Sequence, residues 1–314
     1  MIGHRPSDRG VASAQDAPVR LICRHVSRLL LMRGQRWKPL MPAERLAGLV
    51  METVLSAGIA HLPYRSTAEG SEWNGIVSVT ERARPVSVLA ITQSLDLPYA
   101  SIARRVDELV AAGFLLKGRR GIAVAPGFFA DGRVARIVAE DRIDLVQMLD
   151  LLAAAGHDFA PELRGGGLGR LPDEVVERAL LAFSLRALES VKELYGDVVS
   201  GMLAVTVIAA NVEHLIEHSS LGNQFVDQDT PPPDELRKAI TVRELARQTG
   251  MPFETVRRRV NELRAHDILE HRDDGVVLPA RVLLRPRHMA DNVRITGHFH
   301  WLLATLSDLA WPER

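Results

Sequence analysis

Residues 85–121 come back, recognisably, as residues 240–275, and this repeat restricts the possible folds more than any other feature of the chain. In LPYASIARRVDELVAAGFL, Pro98, Ser101, Ile102, Arg104, Arg105, Val106, Glu108 and Leu109 match Pro252, Thr255, Val256, Arg258, Arg259, Val260, Glu262 and Leu263 of MPFETVRRRVNELRAHDIL. The offset between the copies never changes across this block. At 100° per residue, Ile102, Val106 and Leu109 share one helix face, and so do Val256, Val260 and Leu263. The opposite faces carry Ala100, Arg104 and Asp107 in one copy and Glu254, Arg258 and Asn261 in the other, with Ser101 or Thr255 beside them. A shorter helix is expected before each, over residues 87–95 and 241–249, and Thr241 and Glu244 have the spacing of a capping box. Behind each lies an apolar pair around a Gly-containing turn, the pattern of a hairpin over 113–124 and 267–278.

Both blocks resemble the winged helix-turn-helix of bacterial transcription regulators, closest to the MarR and GntR kinds. The pattern G-[apolar]-P-x-x-[ST]-[IV]-x-R-R-V-x-E-L is met in the second copy, and the first departs from it with Asp96 where the second has Gly250. The duplication is expected to run through the whole chain. Helical stretches at 19–32 and 42–61 precede the first block, those at 172–194 and 198–218 precede the second, and long helices at 133–155 and 289–309 follow them. A MarR-type subunit places such outer helices at its dimer interface, so the resemblance implies a fused pseudo-dimer. The expected fold is mainly α, with two tandem winged helix-turn-helix modules, small β-hairpin wings and helical pseudo-dimerisation segments. Residues 1–17 are expected to be disordered. The first repeat spans 18–156 with its winged helix at about 84–126, and the second spans 172–314 with its winged helix at about 238–281. Between them, the glycines of residues 157–171 predict a flexible linker. Residues 226–235, VDQDTPPPDE, also read as disordered.

The resemblance implies duplex DNA as the partner and a sequence-specific regulator as the function, with no enzyme activity and no cofactor. The 39 basic and 39 acidic residues cancel, so DNA affinity has to come from local patches. Arg104 and Arg258, central on the exposed stripes, are placed for guanine contacts. Arg105 and Arg259, off the centre of the core face, are expected to reach flanking phosphates. Glu108 and Glu262, four residues after Arg104 and Arg258, can orient them. The first turn after Pro98 or Pro252, read as short in side chain, is expected to approach the DNA backbone closely. Ala103 becomes Arg257 and Asp107 becomes Asn261, giving the second helix more base-edge chemistry. The wings differ too. Lys117, Arg119 and Arg120 crown the first as expected DNA contacts, whereas in the second His271 and Arg272, the latter also an expected contact, are nearly cancelled by Asp273 and Asp274. Unlike halves predict an asymmetric operator. A plasmid-type replication initiator and a winged-helix protein scaffold are the alternatives. A pocket between the helical layer and the modules would suit a small-molecule effector. The chain is expected to act as a pseudo-dimeric monomer or a homodimer.

Other chemistry is thinner. His214 and His218 in HLIEH match the HxxEH of inverted zinc proteases, yet no further acidic ligand is marked, and they stand as weak metal candidates. Cys23, beside Arg24 and His25, is a weak redox candidate because cations lower a thiol's pKa. Leu21, Ile22, Val26 and Leu29 argue instead for a buried thiol. The GGGLG at 165–169 lacks the strand and the Lys-Ser/Thr of a phosphate loop. An aromatic content of 5% disfavours a base-stacking platform. No apolar run of about 18 residues suggests a membrane span, and residues 1–18 lack a signal-peptide core, so a cytoplasmic location is expected.

Overall fold

The computed structural model describes residues 18–41, 45–65, 73–129, 131–217, 219–273 and 275–311. Helices dominate, and the strands form two small antiparallel sheets, so the mainly α class expected from sequence holds. The segment expected to be disordered, 1–17, lies outside the described residues.

Helices α1 (Val19–Trp37), α2 (Arg45–Ile59) and α3 (Ile76–Thr80) lead to α4 (Val88–Leu95) and α5 (Tyr99–Ala111). The hairpin of β1 (Leu115–Gly118) and β2 (Gly121–Val124), the short α6 (Pro126–Phe129) and the long α7 (Gly132–Ala154) follow. After irregular helical turns at 163–170 come α8 (Asp173–Tyr195), α9 (Val198–Val212), α10 (His214–Glu217) and α11 (Ser219–Gly222). The chain then forms α12 (Val242–Thr249), α13 (Phe253–Ala265), the hairpin of β3 (Glu270–Arg272) and β4 (Gly275–Val277), α14 (Ala280–Leu283) and α15 (Pro286–Ala310).

Local chemistry sets these boundaries. Ser87 Oγ accepts from the Ala90 N–H at 3.1 Å and Thr241 Oγ1 from the Glu244 N–H at 3.1 Å, so α4 and α12 start on side-chain caps. Each such cap is worth about 1 kcal/mol. The return bond of the expected capping box is missing, because the Glu244 carboxylate accepts from Arg247 and Gln248 instead. Both helices end in a left-handed residue, Asp96 at φ 52° and Gly250 at φ 65°. Asp tolerates that region through its short polar side chain, which accounts for the departure from the glycine pattern. Gly121 and Gly275 let a third segment close on each hairpin. A Cβ there would come within 2.7 Å of the Val86 or Ile240 carbonyl. Those two residues bridge to Ile122 and Val276 in antiparallel fashion.

The four long helices form a ring, α1 against α7 and α15, and α8 against the same two. Ile22, Leu145, Phe183 and Phe299 are buried within it. A second apolar cluster joins α2 and α9 to the cores of both helix-turn-helix-hairpin units, through Val54, Ile102, Val207 and Val256. Charges are also buried. Arg33 of α1 reaches Asp141 of α7 at 2.6 Å and Glu177 of α8 at 2.5 Å, all three nearly inaccessible. Arg24 of α1 donates to the carbonyls of Gly222 (3.2 Å) and Phe225 (2.9 Å). Arg178 of α8, its counterpart at the offset of the repeat, donates to those of Pro63 (2.9 Å), Asn74 (3.0 Å) and Leu62.

Two loop expectations are corrected. Residues 157–171 are no free joint: Leu163, Leu168 and Leu171 are at most 2% exposed in the ring's core, and a Cβ on Gly167 would collide with the Trp311 ring. The leucines between the glycines decide the outcome, since their burial outweighs the glycines' freedom. Residues 226–235 are likewise held. The Val226 carbonyl accepts from the Arg20 N–H at 3.0 Å, Gln228 donates to the Met289 carbonyl at 3.0 Å, and Asp234 caps α14 by accepting from the Ala280 N–H at 2.7 Å.

Candidate nucleic-acid interface

Helices α5 and α13 are amphipathic as their spacing predicts, with Ile102, Val106 and Leu109, or Val256, Val260 and Leu263, buried. The opposite face of each is open. Arg104 lies there with its side chain 59% exposed, held by Glu108 Oε1 at 2.7 Å; Arg258 is 66% exposed and 4.0 Å from Glu262. Arg257 pairs with Glu254 at 2.9 Å. Asn261 is exposed and accepts weakly from Arg264 at 3.5 Å. Glu254, Thr255, Arg257, Arg258 and Asn261 line a shallow open groove along α13. Exposed ion pairs of this kind are worth about 0–1 kcal/mol each. A phosphate or a base edge can therefore draw these arginines off their partners at little cost.

Three expected contacts are corrected. Arg105 is buried, donating to the Ser101 carbonyl at 3.1 Å and to Ser101 Oγ at 2.7 Å, which takes its guanidinium off the outer face while Ser101 stays partly exposed. Arg259 turns inward, with Nη1 3.2 Å from Asp197 and 2.8 Å from Glu262. Because Asp197 also caps α9 through the N–H groups of Val199 and Ser200, this pair fastens α13 to the helical layer. Arg272 donates to the Asp234 carbonyl and steadies the approach to α12. Each stands where the apolar face gives way to the polar one. A long side chain there can lie along either, and a nearby acceptor settles which.

The first hairpin keeps its basic character. Lys117 Nζ sits 2.8 Å from Asp107, whose carboxylate holds the ammonium pKa up, and Arg119 and Arg120 are exposed at the turn. In the second hairpin His271 and Asp273 are exposed, while Asp274 lies outside the described residues. Two residues passed over in the sequence stand out here. Tyr99 and Phe253, directly after the prolines and at equivalent positions of the two copies, are 57% and 45% exposed. The first turns therefore carry a ring instead of the short side chains expected. Their signal was the aromatic residue shared by both copies. Lys38 was passed over as well; its Nζ donates to the Arg247 carbonyl at 2.7 Å, tying the end of α1 to that of α12.

The weak candidates fare differently. Burial pushes the Cys23 thiol up to about 12, opposite to the expected activation, and its Sγ faces the Asn292 carbonyl at 3.5 Å. His214 begins α10, and His218 lies outside the described residues. Among the described residues, no three His, Cys, Asp or Glu side chains gather as a metal site would require. No single described helix is long and apolar enough to cross a membrane. No protein-family model, curated protein or solved structure matches the chain.

Proposed function

We propose that the chain is an internally duplicated winged helix-turn-helix protein that binds duplex DNA at an asymmetric site and regulates transcription by occupying it. The observation that carries this is a repeated geometry. At the constant offset of the sequence repeat, a capped helix, a left-handed turn, an amphipathic helix with a central exposed arginine, and a three-segment hairpin recur together. The outer helices support the duplication, since α6, α7 and α8 begin at 126, 132 and 173, and α14, α15 and α1 at 280, 286 and 19. Arg24 and Arg178 support a pseudo-dimer in one chain, because each reaches from one half into loop carbonyls of the other.

In this scheme α13 is the principal reader, with Arg257, Arg258 and Asn261 toward base edges, where a bidentate contact discriminates by about 1–3 kcal/mol. The first half contributes Arg104, and Lys117, Arg119 and Arg120 grip phosphate or a minor groove. Tyr99 and Phe253 present apolar edges where a thymine methyl or a sugar would lie. Binding-site selection from random duplexes tests the proposal. An asymmetric motif, lost when Arg104→Ala and Arg258→Ala are combined, supports it; unselective recovery opposes it.

A protein-contact scaffold is the alternative, and one observation favours it. On the first unit Leu89, Tyr99 and Leu116 are all more than half exposed, where Arg104 of α5 and Lys117 of β1 are each paired with an acid. Under that alternative the double arginine variant leaves partner binding intact, and random duplexes yield no motif.

A further inference from the structure

A cavity of about 110 Å³ lies between α1, the end of α8, α9 and α15, apart from the faces assigned to DNA. Its walls are largely aliphatic, with Leu30, Val205, Ile208 and Leu283 among them. Its polar residues are short of partners. Both ring nitrogens of His288, Oδ1 of Asp291, Nε of Arg20 and Nη1 of Arg237 are buried without a hydrogen bond among the described residues. A buried polar group left without a partner is destabilising, and native interiors leave few of them. Here they gather on residues that line one space.

The charge is unbalanced as well. Arg237 uses its other nitrogens on Asp234 (3.1 Å) and the Pro232 carbonyl (3.0 Å), while among the described residues the Arg20 guanidinium donates to the Leu283 carbonyl at 3.4 Å and has the Asp229 carboxylate near enough to attract it. The two guanidinium groups repel each other, and burial lowers Arg20 to about 10. The corresponding place in the first half shows that the architecture does not require such a hole. There Phe129 replaces Leu283, Trp37 stacks on Phe128 at 6.1 Å, Phe128 meets Phe129 edge-on at 5.0 Å, and about 30 Å³ remains.

We propose that the second-half cavity binds one small organic carboxylate per chain. The carboxylate accepts from Arg20 and Arg237, an apolar body of roughly six to nine heavy atoms lies against the aliphatic wall, and Asp291 and His288 take a polar substituent. Pro232 and Arg237 precede α12 and Leu283 follows β4, so an occupant touches both ends of the second unit. The site stands on its own geometry, whether or not the chain binds DNA.

Titration of the full chain with hexanoate and with benzoate, by calorimetry and by thermal unfolding, tests the site. Saturable binding of one molecule per chain and a rising Tm are expected for at least one of them. Arg237→Met removes the anion's partner and Ala209→Leu fills the space; each is expected to weaken binding about tenfold or more, with circular dichroism confirming that the variant is folded. Should Arg237→Met fail to fold, Ala209→Leu carries the comparison, since it leaves every polar group in place. Absence of binding by either acid at about 10 mM, binding undiminished in the folded variants, or a crystal structure at that concentration with only ordered water in the cavity overturns the proposal.

Discussion

Arg104 and Arg105 are neighbours in sequence and opposite in situation: one is exposed and loosely paired, the other buried against Ser101. Replacing Arg104 or Arg258 with Ala is expected to change unfolding free energy by no more than about 0.5 kcal/mol, as for an exposed pair. Arg178→Ala strips the carbonyls of Leu62, Pro63 and Asn74 of a buried donor, and a loss of about 3 kcal/mol or more is expected. Urea denaturation measures both, and equal effects would contradict the assignment of surface and bracing roles. Asp291 gives a pH-dependent case. Burial raises its carboxyl to about 6, from an ordinary value near 3.8, so the folded state holds the proton more tightly than the unfolded. The resulting penalty is absent below about pH 4, grows as pH rises, and is complete above about pH 6. Asp291→Asn is therefore expected to stabilise the ligand-free protein by about 1–3 kcal/mol at pH 7.5 and to change little near pH 4. A stabilisation independent of pH would mean that the carboxylate is already compensated.

At the level of elements, the paired turns after α4 and α12 differ only in how their left-handed residue is accommodated. Asp96→Gly relieves a side chain at φ 52° and is expected to be neutral or to stabilise by up to about 1 kcal/mol. Gly250→Ala places a Cβ at φ 65° and 3.0 Å from Lys38 Cε, and a loss of about 1–2 kcal/mol is expected. Thermal unfolding of the two variants checks the pair, and effects of the same sign would contradict it. These elements were legible in the sequence because periodic apolar residues, caps and a constant offset all specify local structure. Arg105, Arg259 and Arg272 were not, since each sits at the edge of an apolar face where a nearby acceptor decides its direction: Ser101 of the same helix for Arg105, and Asp197 and Asp234 of other elements for Arg259 and Arg272. The turns at 163–170 misled for a related reason: glycine reports backbone freedom, and burial of Leu163, Leu168 and Leu171 depends on a ring of helices drawn from both ends of the chain. Tyr99 and Phe253 carried a repeat signal that apolar type alone assigned to no face.

Across the whole molecule, the ring of α1, α7, α8 and α15 mixes the two halves so thoroughly that neither encloses its own core. Residues 18–156 and 157–314, produced together as separate chains, are expected to associate one to one, and each alone to be insoluble or to pair with itself. Light scattering after size exclusion checks this, and two stable, non-associating monomers would contradict the pseudo-dimer. The central claim, recognition of duplex DNA through both units, is most directly tested by selection from random duplexes at near-physiological salt, where sequence-independent phosphate binding is weak. An asymmetric motif that disappears with the combined Arg104→Ala and Arg258→Ala substitutions is predicted. Recovery of no motif, or of one indifferent to both arginines, would contradict it.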